Sequence, residues 1–337
     1  METMNTTDVQ ANEGQRLEAK AGMMKSSVFF LILLVLQIPI GLVIGAIAGK
    51  FPENHASLIS VLITQGYMLI SALIYIFATK KSITKDLRVR KYKVSTFFLS
   101  IVMLITATPM ANLLNIISQF FAKNETSGAI LNITEVVPWW LAIMIVGCLP
   151  GFIEETIFRG IIHTAFRKRS VLTGIIVSSI SFGLMHMNFN QIMYAVYLGV
   201  VFALLVEATG SLASTMVLHM LFNGVNTAYI FVLPKLFEYL GKLSPAYANF
   251  NLEEQLNQGV STSQLIMAAS VWTPFAIGGL VLTVLLLKVI AKINGRELTW
   301  KSICEVKEES RDVKPMNIPM ILCWLFCFVF AVIALFA

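Results

Sequence analysis

PWWLAIMIVGCLPGFIEETIFRGIIHTAF, residues 138–166, decides how this chain is read. The run is long enough to cross the hydrocarbon core of a bilayer, which takes about 20 apolar residues. Yet Glu154, Glu155 and Arg159 stand in its middle. Comparable apolar runs lie on either side of it, at roughly 27–49, 57–79, 95–117, 170–187, 190–208, 211–233, 265–288 and 318–336. Composition agrees: 57% of the residues are hydrophobic and 13% charged, with mean hydropathy +0.77. Ordinary soluble domains carry about 25% charged residues, so a soluble fold of this length is excluded. The expected fold class is all-α, a polytopic transmembrane helical bundle with eight to nine spans. The range is left open because 170–187 and 190–208 are short and tightly linked.

The net charge of +6 reflects topology rather than a nucleic-acid partner. Lys and Arg gather in the segment before the first span (Arg16, Lys20, Lys25), in KKSITKDLRVRKYK at 80–93, in the turn Arg167-Lys168-Arg169, and in 288–316. The alternate loops hold only Lys50, Lys123, Lys235 and Lys242. With nine spans every basic segment falls on one side. The positive-inside rule then places the N-terminus in the cytoplasm and the C-terminus outside. Residues 1–26 are polar, of mixed charge and without an apolar period, and are expected to be a disordered or interfacial tail. Ala46-Ile47-Ala48 resembles a signal cleavage site, but the apolar run before it is longer than a signal core, and an uncleaved helix is expected. Two sequons, Asn124-Glu125-Thr126 and Asn132-Ile133-Thr134, fall in an outside loop. The four cysteines (Cys148, Cys304, Cys323, Cys327) form no CxxC framework, and the i, i+4 pair Cys323 and Cys327 reads as lipid-facing filler.

Ionisable residues inside spans cost about 2.5 kcal/mol or more at a helix centre, so they mark where chemistry belongs. Three clusters stand out. In Glu154-Glu155-Thr156-Ile157-Phe158-Arg159, Glu155 and Arg159 are i, i+4 with the acid N-terminal, the favourable order for a helical ion pair. Glu154 lies about 100° round the helix, without a local cation. An unpaired carboxylate in apolar surroundings is a usable proton acceptor near neutral pH. In Phe182-Gly183-Leu184-Met185-His186, the phenyl ring and the imidazole share a face. In His219-Met220-Leu221-Phe222-Asn223, two hydrogen-bond donors share a face, as a developing oxyanion requires. The same residues could serve only as an ion network or as polar glue between helices. His163 and His55 are assigned no role.

Helical rise places the clusters at overlapping depths. Glu154 lies about 20 Å from Arg167, His186 about 24 Å from Ser170, and His219 and Asn223 about 12 and 18 Å from Ser211. Gly147, Pro150 and Gly151 could break the span just before Glu154, which is tolerated where backbone lines a cavity.

EETIFR, FGLMH and HMLFN resemble, in order and spacing, the EExxxR, FxxxH and HxxxN motifs of the CAAX protease and bacteriocin-processing family, also called Abi. Each motif alone is weak, but three in order, each on an expected span, are specific. The resemblance covers roughly 138–230 and implies an intramembrane endopeptidase. In it Glu154 would be the general base, acting with His186 on a water. His219 and Asn223 would hold the oxyanion, Glu155 and Arg159 would order the site, and Phe182 would support His186. The chain then divides into a tail (1–26), N-terminal transmembrane helices (27–134), a protease core (135–233) and a C-terminal loop and helices (234–337). Nine spans would exceed the eight of the prenyl-protease relatives.

Glu154, His186 and His219 could also make a zinc site with an open position for water. HExxH is absent, and Asn223 suits an oxyanion better than a metal, so a metal-free glutamate–histidine mechanism is favoured with zinc as the alternative. The expected partners are the lipid bilayer and a membrane-embedded or lipid-anchored peptide or protein substrate. The location would be the plasma membrane in a bacterium. Two other readings stay open: a non-catalytic binding or bacteriocin-immunity protein on the same fold, and a transporter with a proton relay. Transporters often show inverted repeats, and none is visible here.

Overall fold

The computed structural model describes residues 6–244 and 260–336, and all regular structure among them is helical. The helices are α1 (Thr6–Ala48), α2 (Glu53–Ala78), α3 (Val94–Ser118), α4 (Glu125–Val136), α5 (Trp139–Phe166), α6 (Val171–Met185), α7 (Phe189–Thr209), α8 (Leu212–Leu243), α9 (Thr262–Ile293), α10 (Trp300–Cys304) and α11 (Ile318–Phe336). Eight of them, all but α4, α6 and α10, are long and apolar enough to cross a membrane. The run expected to span at 170–187 is the exception. Helix α6 has 15 residues, which reach about 22 Å against a hydrocarbon core of about 30 Å. It is a short helix folded back between longer ones, and its C-terminal end stops at the level of the polar clusters.

Three expectations are corrected. Residues 6–26 are not a disordered tail but the first turns of α1, where Ala19 and Met23 are buried and Glu18 pairs with Lys168. Local polarity hid a helix whose stability comes from docking on the basic turn. Cys323 and Cys327 do not face lipid: both are fully buried where α11 packs, and the Cys323 thiol donates to the Ser27 carbonyl at 3.8 Å. The loop holding the sequons contains helix α4. Asn124 caps it by accepting from the Ser127 N–H, and Asn132 donates to Glu53 and Ser57 at 3.3 Å each.

Helices in lipid gain nothing from hiding apolar side chains from one another, so close association depends on small residues and polar contacts. That is how α5 meets α8. A Cβ on Gly147 would lie 3.0 Å from the Gly224 backbone, and one on Gly151 would lie 2.7 Å from the Met220 backbone nitrogen. Helix α5 is continuous rather than broken, but its backbone changes type. It is π-helical over Ile143–Cys148, α-helical over Leu149–Glu155 and π-helical again over Thr156–His163. Pro150 has no N–H to offer the carbonyl four residues back, and the wider turn beside it absorbs the loss. The two glutamates therefore sit on one α-helical step between two π segments.

All the basic segments are stitched together at one end of the bundle. Leu212 N–H donates to Arg88 O at 2.9 Å, Lys307 N–H to Arg169 O at 3.0 Å, and Arg169 Nε to Val313 O at 2.8 Å. The outward faces of α9 and α11 carry exposed Val281, Leu285, Val289, Ile321, Leu325 and Phe328, as lipid-facing surfaces do.

Candidate active site

Four helices bring the three clusters together. Glu154, Glu155 and Arg159 come from α5, Phe182 and His186 from the end of α6, and His219 and Asn223 from the first half of α8. Helix α7 closes the group with Phe202, which is fully buried.

The ion pair expected within α5 forms: Arg159 Nη1 donates to Glu155 Oε1 at 2.8 Å, with both side chains sealed from solvent. Arg159 Nε and Nη2 have no hydrogen-bond acceptor among the described residues. The cation is held instead between rings, with its Cζ 4.4 Å from the Phe182 centroid and 5.5 Å from that of Phe202. Desolvated cation–π contacts of this kind contribute about 2 kcal/mol.

Helix α8 adds a link that spacing along the chain does not reveal. His219 Nδ1 lies 3.0 Å from the same Glu155 oxygen that takes Arg159. A carboxylate beside a guanidinium accepts, so Nδ1 carries the proton, and the ring is turned with Nε2 3.8 Å from Glu154 Oε2. Phe182 and Phe202 pack on this imidazole at centroid distances of 5.6 and 5.4 Å. Glu155 thus aligns His219, and His219 faces Glu154.

His186 is set by helix termination. Where α6 ends, the last carbonyls lose their intrahelical donors. His186 Nδ1 donates to one of them, Phe182 O, at 2.8 Å. That leaves Nε2 as the free ring nitrogen, and the imidazole stands edge-on to Phe182 at 5.2 Å. One phenyl ring therefore touches Arg159, His186 and His219. Asn223 lies one turn beyond His219 and is half-buried, and its side chain makes no hydrogen bond among the described residues.

Glu154, with its side chain 11% exposed, is the more accessible glutamate. Its contact with His219 is its one ion contact among the described residues. As for zinc, no three His, Cys, Asp or Glu side chains among the described residues converge as a ligand set. Glu154, His186 and His219 as arranged do not form such a set.

The segment that carries these residues is similar to a known family. Residues 136–225 match the family model described as type II CAAX prenyl endopeptidase Rce1-like. The matched segment is similar to that family. It runs from the end of α4 to two residues past Asn223 and holds every residue of the three clusters. No curated protein and no solved structure matches the chain.

A second buried polar centre, which the sequence reading passed over, joins Glu207, His163 and Arg167 of this segment to Arg88 from the loop between α2 and α3. Glu207, near the end of α7, accepts from Arg88 Nη1 and Arg167 Nε on Oε1 and from Arg167 Nη2 on Oε2, each at 2.8 Å. His163 is fully buried beside it, with Nδ1 3.0 Å from Arg88 Nη2. Arg88 itself holds φ at +59°, an uncommon value for a residue with a Cβ. Burial pulls its pKa below the ordinary arginine value, and the Glu207 carboxylate opposes that pull. An acid inside a span was a legible signal for Glu207. Arg88 and Arg167 were counted only as topological charges. Phe202 had no signal, because a phenylalanine on an apolar helix looks like any other.

Proposed function

We propose that this protein is an intramembrane endopeptidase in which Glu154 is the general base. The observation that carries the reading is the contrast between adjacent glutamates. Glu155 is committed to Arg159 and His219, whereas Glu154 has no guanidinium partner and faces an imidazole at 3.8 Å. A water held by Glu154 and His186 Nε2 loses a proton to the carboxylate as its oxygen attacks the substrate carbonyl. Asn223 and a protonated His219 stabilise the oxyanion; Glu155 is matched by Arg159, and the imidazolium is balanced by Glu154 at rest and by the oxyanion once Glu154 has taken the proton. The proton taken by Glu154 then passes to the leaving amine as the C–N bond breaks, so that one peptide bond and one water give a carboxylic acid and an amine. Proton transfer of this kind contributes about 10²–10⁴-fold, and oxyanion donors about as much again.

The substrate is a membrane-embedded or lipid-anchored peptide. The site lies among helices of spanning length, and the family model that matches is named for endopeptidases acting on prenylated tails. The clustering of basic segments at one end supports a cytoplasmic position for that end and for the N-terminus, by the positive-inside rule.

The test is cleavage of a membrane-peptide library by purified wild-type protein and Glu154→Gln, with and without a strong chelator, folding being checked for both. We expect cleavage by the wild type, unaffected by chelation, and none by the variant. Undiminished cleavage by Glu154→Gln removes the assigned base. Loss on chelation with recovery in zinc replaces the mechanism by a metal-dependent one. Absence of cleavage by the folded wild type on both prenylated and unmodified peptides favours a binding or immunity role.

A further inference from the structure

A cavity lies at the basic end of the bundle, lined by none of the residues of the three clusters. Helix α9 ends at Ile293 with Asn294 as its cap, and Gly295, at φ +65°, turns the chain back. Arg296 follows. Its Nη1 donates to the Glu207 carbonyl at 3.2 Å, at the C-terminal end of α7, and its guanidinium lies against Gly210. Any Cβ at position 210 would overlap that guanidinium, and the φ of +71° there also favours glycine. Thr299 then caps α10, whose first residue, Trp300, is 76% exposed.

Between these elements is a cavity of about 350 Å³ lined by Lys288, Arg296, Glu297, Leu298, Thr299 and Trp300. The Glu297 carboxylate accepts from Thr299 Oγ1 at 3.3 Å and so serves its own turn. Neither Lys288 nor Arg296 has a carboxylate within ion-pair distance among the described residues. Two cations without an ion-paired carboxylate among the described residues therefore border one open cavity, against the single carboxylate of Glu297.

We infer that this cavity takes the phosphate-bearing headgroup of an anionic phospholipid. The position of Lys288 argues for a lipid over a soluble anion. It lies five residues inside the end of α9, about 7.5 Å along the helix, on a face whose neighbours Val284, Leu285 and Val289 are exposed and apolar. A lysine on a lipid-facing stripe must extend toward the headgroup layer. Arg296 sits at that layer with a planar fork of donors suited to phosphate oxygens. Trp300 is the aromatic residue that membrane interfaces favour. Basic pockets beside spanning helices bind anionic headgroups by this combination. Through Arg296 the headgroup would touch the end of α7, one residue chain away from the Glu207 centre. The inference does not depend on peptidase activity.

The test is a thermal-shift titration of the full-length protein in a neutral detergent, with phosphatidylglycerol, phosphatidylcholine or inorganic phosphate added. We expect saturable stabilisation by phosphatidylglycerol and little change with the other two. Lys288→Gln should weaken the apparent affinity for phosphatidylglycerol about fivefold, near the usual contribution of one interfacial cation. Lys242→Gln, at the far end of α8, should leave it unchanged. Arg296→Gln should weaken it further, and if that variant does not fold, Lys288→Gln alone carries the test. Equal stabilisation by phosphatidylcholine, no stabilisation by phosphatidylglycerol, or wild-type affinity in Lys288→Gln overturns the proposal. Reproduction of the effect by inorganic phosphate overturns the choice of a lipid.

Discussion

Two buried carboxylates within the Rce1-like segment have met opposite fates. Glu207 receives three guanidinium hydrogen bonds at 2.8 Å, two on one oxygen and one on the other. Glu154 receives none, and has an imidazole nitrogen 3.8 Å away. Both side chains are largely buried, at 6% and 11% exposed, so burial does not distinguish them. Pairing does. A carboxylate saturated by fixed cations has no reason to take a proton and can only hold helices together. One left facing a histidine in apolar surroundings can accept and release a proton. In a bilayer, where every ionisable group is costly, the under-paired carboxylate is the place to look for chemistry and the fully paired one for architecture.

The sharpest way to break this contrast is Glu154→Gln. It should lower turnover by about 10²–10⁴-fold while the melting temperature stays near that of the wild type, read by peptide cleavage and differential scanning. A large loss of stability would make Glu154 structural as well. Next is Glu207→Gln, which leaves Arg88 and Arg167 facing a neutral amide. The expected cost is about 3–5 kcal/mol of stability in denaturant titration, with the folded fraction keeping its turnover. Lost turnover in the folded protein would erase the division between the two centres. Glu155→Gln should fall between them, because Glu155 both neutralises Arg159 and orients His219. Turnover should drop about 10–100-fold, as for other residues that orient a reacting group, together with some stability. The smallest effect is expected for Phe182→Leu, which removes a ring from Arg159 and both imidazoles and should cost about 1–2 kcal/mol. A cost near zero would mean that Phe202 alone suffices to hold the guanidinium.

These outcomes bear differently on what could be read along the chain. The Glu155–Arg159 pair was legible because both residues sit on one helix, where spacing decides contact. The relation of Phe182 to His186 was legible for the same reason. The bond from Glu155 to His219 was not, because the partners are 64 residues apart on different helices. Nor was the capture of His163 and Arg88 by the Glu207 centre, since Arg88 arrives from the loop between α2 and α3. The π segments of α5 were hinted at by Gly147, Pro150 and Gly151, which pointed to an irregularity without saying that the helix would continue through it.

Composition and the length of apolar runs by themselves determined that this is a helical membrane bundle, because a bilayer lets no lipid-exposed backbone go unpaired. The scarcity of charge inside spans drew attention to Glu154, Glu155 and Arg159. Only the tertiary structure decided which cation serves which carboxylate. One residue of register turns a side chain by about 100° around its helix, and the close approach of α5 to α8 at Gly147 and Gly151 selects the rotation that leaves Glu154 free.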